Sequence, residues 1–351
     1  MTAKTAKIAV YGAGAMGTVL GAFLTLGGLE VDLITRNAAH VKGLNEHGAI
    51  VVCEGDGIEK CISARAFTPD ELFASGKIYD VIFLMTKQRF NEEVLTSLLP
   101  HLAKDGVVCT TQNGLPEASV ATVVGNERTY GAATSFGATF IGEGKVALTS
   151  QMQAMSMELG GYQNNGAKHT LLTEILSYAG RAIGKADFVR STDDLRGARW
   201  SKLTINAAFS GLSVVTGGTF GEIARKRKSR KIALGILREC MSVATMDGVN
   251  LAPMQGHDMQ KLLGGRTPLK RLFAYMVLPF AMKRHKRLRS GMLKDVENGR
   301  RCEIDFVTGL VCKEGKRLGV ETPLCDKVIE LVHGIEDGLY EIGFANLDFF
   351  E

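Results

Sequence analysis

A chain of 351 residues is long enough for two domains of ordinary size, and a hydrophobic fraction of 45% lets either half bury a full core. The net charge of +5, from 42 basic against 37 acidic residues, is too small to mark a nucleic-acid binder and suits an enzyme of phosphates and carboxylates. Seven scattered cysteines, Cys53, Cys61, Cys109, Cys240, Cys302, Cys312 and Cys325, with no CxxC, read as reduced intracellular thiols, not disulfides or zinc ligands. The first residues run straight into a strand pattern without a signal peptide. The most apolar run, Leu272–Met282, contains Pro279 and falls far short of the roughly 20 residues a membrane span needs. A cytoplasmic protein that meets neither membrane nor nucleic acid is expected.

Apolar strand-like runs alternate with helical patterns through the first half. Ile8–Tyr11 reads as a buried strand, followed by a glycine-rich turn and a helix over Met16–Leu26. Val31–Thr35, Tyr79–Met85 and Val107–Thr111 read as further strands, with a helix over Phe90–Leu102. Such alternation implies βαβ units and a mostly parallel sheet covered on both faces. Thr129–Leu159 turns glycine-punctuated and β-prone, which predicts antiparallel additions to that sheet; Leu171–Ile183 returns to helix. From Asp193 onward helical periodicity dominates: Trp200–Val214, Ser229–Asp247, Met292–Leu318 and Pro323–Ile342, with Asp193 and Asp194 as candidate caps. The predicted fold is an α/β Rossmann-type domain over residues 1–191, then an all-helical domain over residues 192–351 for substrate or dimer contacts. The active site is expected in the cleft between them.

Gly12-Ala13-Gly14-Ala15-Met16-Gly17 fits G-x-G-x-x-G, directly after a strand and at the start of a helix, the context that makes this pattern a dinucleotide-binding turn. Gly12 allows the tight turn, Gly14 the approach of a pyrophosphate, and Gly17 close helix–strand packing; the helix N-terminus then faces the anion. The second strand ends Thr35-Arg36-Asn37 with no carboxylate at its tip, since Asp32 lies too early. A guanidinium fork at Arg36 suits a 2′-phosphate, so NADP is expected over NAD.

Further segments resemble the ketopantoate reductase (2-dehydropantoate 2-reductase) family across nearly the whole chain. They are Lys7–Gly17 with Arg36; Phe83-Leu84-Met85-Thr86-Lys87; Gln112-Asn113-Gly114; Arg199-Trp200-Ser201-Lys202-Leu203 with Asn206; Ser290-Gly291-Met292-Leu293-Lys294-Asp295; and Gly299-Arg300-Arg301-Cys302-Glu303-Ile304-Asp305. The resemblance implies NADPH reduction of a 2-oxo acid, in pantothenate biosynthesis. It makes Lys202 the catalytic proton donor and Glu303 an active-site carboxylate near it. Lys87 and Asn113 would line the nicotinamide and substrate site, and Asn206 would bind substrate one turn after Lys202.

The chemistry supports those roles. Hydride arrival puts negative charge on the carbonyl oxygen, which an ammonium stabilises and then protonates; such general acid catalysis is worth roughly 10²–10⁴-fold. Lys202 and Asn206 share one helix face by their four-residue spacing. Lys87 and Asn113 follow apolar strands, at the sheet edge where doubly wound folds bind ligands.

The chain departs from the family where substrate is gripped. Gly291 stands where the family has a carboxylate-binding serine, with Ser290 one residue earlier; Leu288 and Ser210 stand where asparagines are usual. The added length over Arg271–Arg289 carries the basic run Lys283-Arg284-His285-Lys286-Arg287, a solvated face unless Arg287 or Arg289 compensates for the lost contacts. A second basic cluster, Arg225–Lys231, reads as surface. The expected activity is therefore NADPH-dependent reduction of a small-molecule 2-oxo acid, by a monomer or homodimer, with ketopantoate a poor substrate and Ser290 and Ser210 retained as substrate contacts. A different carbonyl or imine substrate, or a non-catalytic NADP-binding regulator, are the alternatives. The histidines show no metal-ligand spacing, and G-x-S-x-G is absent.

Overall fold

The computed structural model describes residues 1–163, 166, 168–253, 257–265 and 267–350, apart from the side chain of Arg284 in the basic run. The chain divides into two compact units, Met1–Leu195 and Arg196–Glu351.

The first unit is built in the order β1 (Ile8–Tyr11), α1 (Ala15–Leu26), β2 (Val31–Ile34), α2 (Ala38–His47), β3 (Ala49–Cys53), β4 (Ile58–Ile62), β5 (Arg65–Phe67), α3 (Pro69–Ser75), β6 (Tyr79–Leu84), α4 (Asn91–Leu98), β7 (Leu102–Thr110), α5 (Glu117–Val124), β8 (Thr129–Thr134), β9 (Ala138–Gly142), β10 (Lys145–Leu148), β11 (Met157–Gly161), α6 (Lys168–Ala182) and β12 (Val189–Ser191). Eight strands form the main sheet in the order β12-β11-β8-β7-β6-β1-β2-β5. Every pairing in it is parallel except β11 with β8. β1, at the centre, carries no charged residue and is buried at all four positions because both faces of the sheet are covered. Ile8 and Val10 of β1 point into a core with α1 and α6, while Ala9 and Tyr11 point into a second core with α3, α4 and α5.

The expected Rossmann-type architecture is thus present, but Thr129–Leu159 does not simply extend it. β8 continues the parallel sheet, β11 adds antiparallel, and β9 and β10 leave to join β3 and β4 in a separate sheet ordered β4-β3-β10-β9. Short, turn-bounded strands cannot announce which partner they will find. A buried histidine fastens this second sheet: His40 Nδ1 accepts from the Gly144 N–H at 2.9 Å, and its Nε2 lies 3.0 Å from the Thr18 hydroxyl of α1.

The second unit is helical: α7 (Leu195–Thr216), α8 (Phe220–Arg225), α9 (Arg227–Met246), α10 (Met259–Leu263), α11 (Pro268–Ala281), α12 (Gly291–Glu297), α13 (Ile304–Leu318) and α14 (Pro323–Glu336). The single helix expected over Met292–Leu318 is two. It breaks after Glu297, where Gly299 adopts φ +68° and the amides of Asn298, Gly299 and Arg300 turn back onto α12, a left-handed helix ending that glycine allows. The helix begun at Pro323 ends at Glu336 rather than Ile342, with Gly338 at φ +74° just beyond. Among the described residues, no helix is long and apolar enough to cross a membrane.

Asp32 of β2 anchors the β5 edge of the sheet. Its carboxylate is almost fully buried and accepts from Arg65, from Lys77 Nζ at 2.8 Å and from the Tyr79 hydroxyl at 2.8 Å. Burial, then this bond to Asp32, pushes the Tyr79 phenol far above its usual range. Asp32→Asn removes the charge that Lys77 and Arg65 answer. Because both cations remain partly in water, the expected loss is about 1–3 kcal/mol, read as a lower midpoint in urea unfolding. The relative affinity for NADPH and NADH should not move, since this carboxylate is committed to the fold.

Candidate active site

The glycine turn is shaped by contacts that leave one anion-facing surface. Gly12 has φ +98°, and a Cβ there would lie 2.6 Å from the backbone of Met85 and Thr86. A Cβ on Gly17 would lie 2.5 Å from the Gly12 carbonyl oxygen. Around Gly14 a Cβ would meet nothing within 4 Å, so this position opens outward. The amides of Gly12 and Ala13 are spent on the Ile34 carbonyl, at 2.9 and 2.8 Å. The first turn of α1, from Ala15 through Gly17, has no side-chain cap and no acidic residue. Helix geometry leaves its first N–H groups without intrahelical acceptors, and their charge favours an anion. These residues fit the pyrophosphate of a dinucleotide.

Arg36 follows β2 and is exposed. Its guanidinium lies 5.1 Å from the centre of the Phe90 ring, and that of Arg89 lies 4.7 Å from the same ring. Both cations are thus within cation–π reach of one ring. Sequence reading found Arg36 from its place at the strand tip but missed Arg89 and Phe90, which no spacing rule singles out.

Lys87 is half-buried and follows β6; Asn113 is exposed and follows β7. The two loops are tied together. Gln88 donates to the Asn113 carbonyl. Beneath them, buried Gln112 donates to the Thr86 carbonyl and to Asn91 Oδ1, each at 2.7 Å, and accepts from Thr110 Oγ1 at 2.9 Å. Asn91 and Gln112 therefore position the loops that carry Lys87 and Asn113. Polar residues at a strand end and a helix start gave no sign in the sequence that they would pair.

In the second unit α7 acts as a ruler. Lys202, Asn206 and Ser210 recur every four residues along one face; the first two are half-buried and Ser210 is buried. Desolvation, and then the positive charge of buried Arg199 three residues earlier, push the Lys202 ammonium down to about 7. Glu303 is half-buried at the N-terminal boundary of α13, not within a helix as first read. The next residue, Ile304, approaches Gly211, and the Thr308 hydroxyl donates to the Ala207 carbonyl at 3.5 Å. The start of α13 is thereby held against the stretch of α7 that carries Asn206 and Ser210.

Ser290 is buried and caps α12, accepting from the Met292 N–H at 3.0 Å, with its own N–H 3.4 Å from Ser213 Oγ. Its hydroxyl thus has a structural duty in addition to any contact with substrate. Gly291 faces open space, with nothing within 4 Å of a Cβ. Leu288 is exposed. Arg289 is exposed and paired with Glu297 at 2.5 Å; Arg287 is exposed as well.

A parallel sheet whose first turn exposes bare helix amides, followed by a helical unit bearing a lysine of lowered basicity, defines a nicotinamide-dinucleotide oxidoreductase. The family model for ketopantoate reductase PanE/ApbA matches residues 8–161, and its C-terminal counterpart matches residues 194–336. The chain belongs to the ketopantoate reductase family. The 2-dehydropantoate 2-reductase of Lactococcus lactis subsp. lactis is 26% identical over 333 residues, covering 94% of this chain and 98% of that protein. That of Archaeoglobus fulgidus is 23% identical over 348 residues, covering 96% and 100%. Among solved structures, a ternary complex of D-mandelate dehydrogenase with NADH and anilino(oxo)acetate superposes with a TM-score of 0.78 at 27% identity, covering 95% of this chain and 99% of that one. A ketopantoate reductase from Ralstonia eutropha gives 0.77 at 24% identity over the same shares and speaks for the fold alone.

The depressed Lys202 has a stability signature. With a folded value near 7 and an unfolded value near 10.4, the unfolded chain binds more protons between them, so stability rises with pH across that window. Below about 7 the full cost of holding a charged Lys202 is present. Lys202→Met should therefore raise the melting temperature most at pH 6–7, and the gain should vanish towards pH 10.5. Melting curves of parent and variant across this range check it; a destabilised variant at pH 6 would contradict it.

Proposed function

We propose that the protein reduces a 2-oxo acid to the 2-hydroxy acid, using NADPH, with Lys202 as proton donor. The observation that carries this reading is a lysine held near neutral basicity on the same α7 face as Asn206. An ammonium of that acidity is matched to giving up a proton at physiological pH. When bound, NADPH supplies the hydride. The α1 amides after Gly14 hold its pyrophosphate, Arg36 its 2′-phosphate, and Lys87 and Asn113 border the nicotinamide. Lys202 stabilises the charge that grows on the substrate oxygen and protonates it. Asn206 orients that oxygen, and Glu303 contacts substrate beside the lysine.

For the cofactor, Arg36 and the full engagement of Asp32 by Arg65, Lys77 and Tyr79 favour NADPH, although the D-mandelate dehydrogenase relative is described with NADH. NADPH should bind at least tenfold more tightly than NADH, about 1.4 kcal/mol or more. Arg36→Ala should remove most of that difference and leave NADH affinity nearly unchanged. Equal affinities in the parent protein, by fluorescence titration, would sink the NADP reading.

For the substrate, Gly291 and exposed Leu288 remove contacts to a carboxylate, and the Ser290 hydroxyl already caps α12. Two such missing bonds weaken binding by roughly a hundredfold or more. Ketopantoate should accordingly be a poor substrate beside another 2-oxo acid such as phenylglyoxylate, the oxo acid of mandelate. A panel followed by NADPH absorbance tests it; kcat/KM for ketopantoate of about 10⁴ M⁻¹s⁻¹ or more would restore it as substrate.

The reductive kcat/KM should be flat at low pH and fall about tenfold per unit above pH 7, as Lys202 loses its proton. Lys202→Ala should lower kcat by roughly 10²-fold or more and leave NADPH affinity intact. Near-normal turnover by that variant would remove Lys202 from the chemistry.

A further inference from the structure

Away from α7, the second unit has a recess of about 250 Å³ between α9, α10 and α11, lined among others by Arg238, Ser242, Thr245, Gln260 and Arg271. Arg238 is half-buried, and its Nε is sealed from solvent without a hydrogen-bond partner among the described residues. Burial, and then the like charge of Arg271, lower the basicity of its guanidinium. The acidic residues close by are committed elsewhere. Glu239, adjacent on α9, accepts from the Leu324 and Cys325 amides at 2.9 Å each. Asp258 caps α10 and pairs with Lys261. Gln260 is fixed by a 3.0 Å bond to the Thr245 hydroxyl.

A partly buried guanidinium with no counter-ion among the described residues, lining a cavity together with a second guanidinium, is costly to the fold. An anion in the recess removes both costs. Two planar forks address oxygens of one tetrahedral group well. Two positive charges call for a dianion, since a monocarboxylate leaves one of them unanswered. A phosphate group carries about −1.5 to −2 at neutral pH. We propose that this recess is a phosphate-binding site, with Arg238 and Arg271 as its cationic walls and the Ser242 hydroxyl beside them. It shares no residue with the dinucleotide turn. The phosphate can belong to a soluble monoester or to a lipid headgroup, because the first turns of α11 expose Leu269, Leu272 and Phe273 on either side of Arg271.

The test is calorimetric titration of the full-length protein, saturated with NADPH, with inorganic phosphate at constant ionic strength. One saturable site is expected. Arg238→Gln and Arg271→Gln should each weaken it at least tenfold, acetate should bind at least tenfold more weakly, and Arg36→Ala should leave it unchanged. In phosphate-free buffer Arg271→Gln should melt no lower than the parent, because it relieves repulsion. Titration with glycerol 3-phosphate, and flotation with vesicles containing phosphatidic acid against phosphatidylcholine alone, identify the source by which response disappears in the arginine variants. No saturable phosphate heat in the parent, heat that survives Arg238→Gln, or an Arg271→Gln protein of lower stability would each overturn the proposal, the last by giving that guanidinium to the fold.

Discussion

The crossing of the Gly12 turn over the tip of β6 governs the nucleotide-binding unit. The backbone of Met85 and Thr86 comes so close that no side chain fits on Gly12, and the Met85 amide in turn bonds the Tyr11 carbonyl at 2.8 Å. One contact therefore sets two things: where α1 begins, with its bare amides, and where the chain leaves β6 towards Lys87. The second loop is then joined to the first through Gln88, Gln112 and Asn91. The residues proposed to face the ligand, from three strands, are held by backbone contacts and buried amides, which cost little to keep rigid once the parallel sheet has formed.

The helical unit shows the opposite economy, for it holds charge where charge is unwelcome. Lys202 loses hydration and lies near Arg199, which is itself almost fully buried. A chain selected only for stability would place an apolar residue there. In the proposed mechanism the same strain makes the ammonium a competent acid near neutral pH, so the cost to the fold and the proposed proton donation have one physical origin. Arg238 and Arg271 repeat this pattern on other helices: two like charges act on each other with no carboxylate paired to them among the described residues.

The loop before α12 is where the proposed reading places a change of substrate with the cofactor chemistry retained. Ser290 is one residue away from the position the family uses, and its hydroxyl is absorbed by the first turn of α12. Gly291, where a side chain would point into open space, offers neither bond nor obstruction. The neighbouring Arg289, a candidate to compensate, is neutralised by Glu297. In that reading such substitutions would change what is held without touching α7 or the glycine turn.

The sequence by itself determined the fold class, the glycine turn with Arg36 beside it, and the face of α7 that bears Lys202, Asn206 and Ser210. Each of these is written in local periodicity or in a motif of fixed spacing, and sheet and helix geometry translate them directly into place. Only the tertiary structure decided what depends on partners distant in the chain. The separate sheet of β3, β4, β9 and β10, the Gln112–Asn91 link beneath Lys87, the two cations and the phenol on Asp32 and the meeting of Arg238 with Arg271 all join residues whose spacing carries no signal. Asp32 illustrates the limit. Its position ruled it out as a ribose ligand from sequence alone, but its task, holding Arg65, Lys77 and Tyr79 at the sheet edge, arises only when β2, β5 and β6 come together and burial makes an unpaired carboxylate untenable.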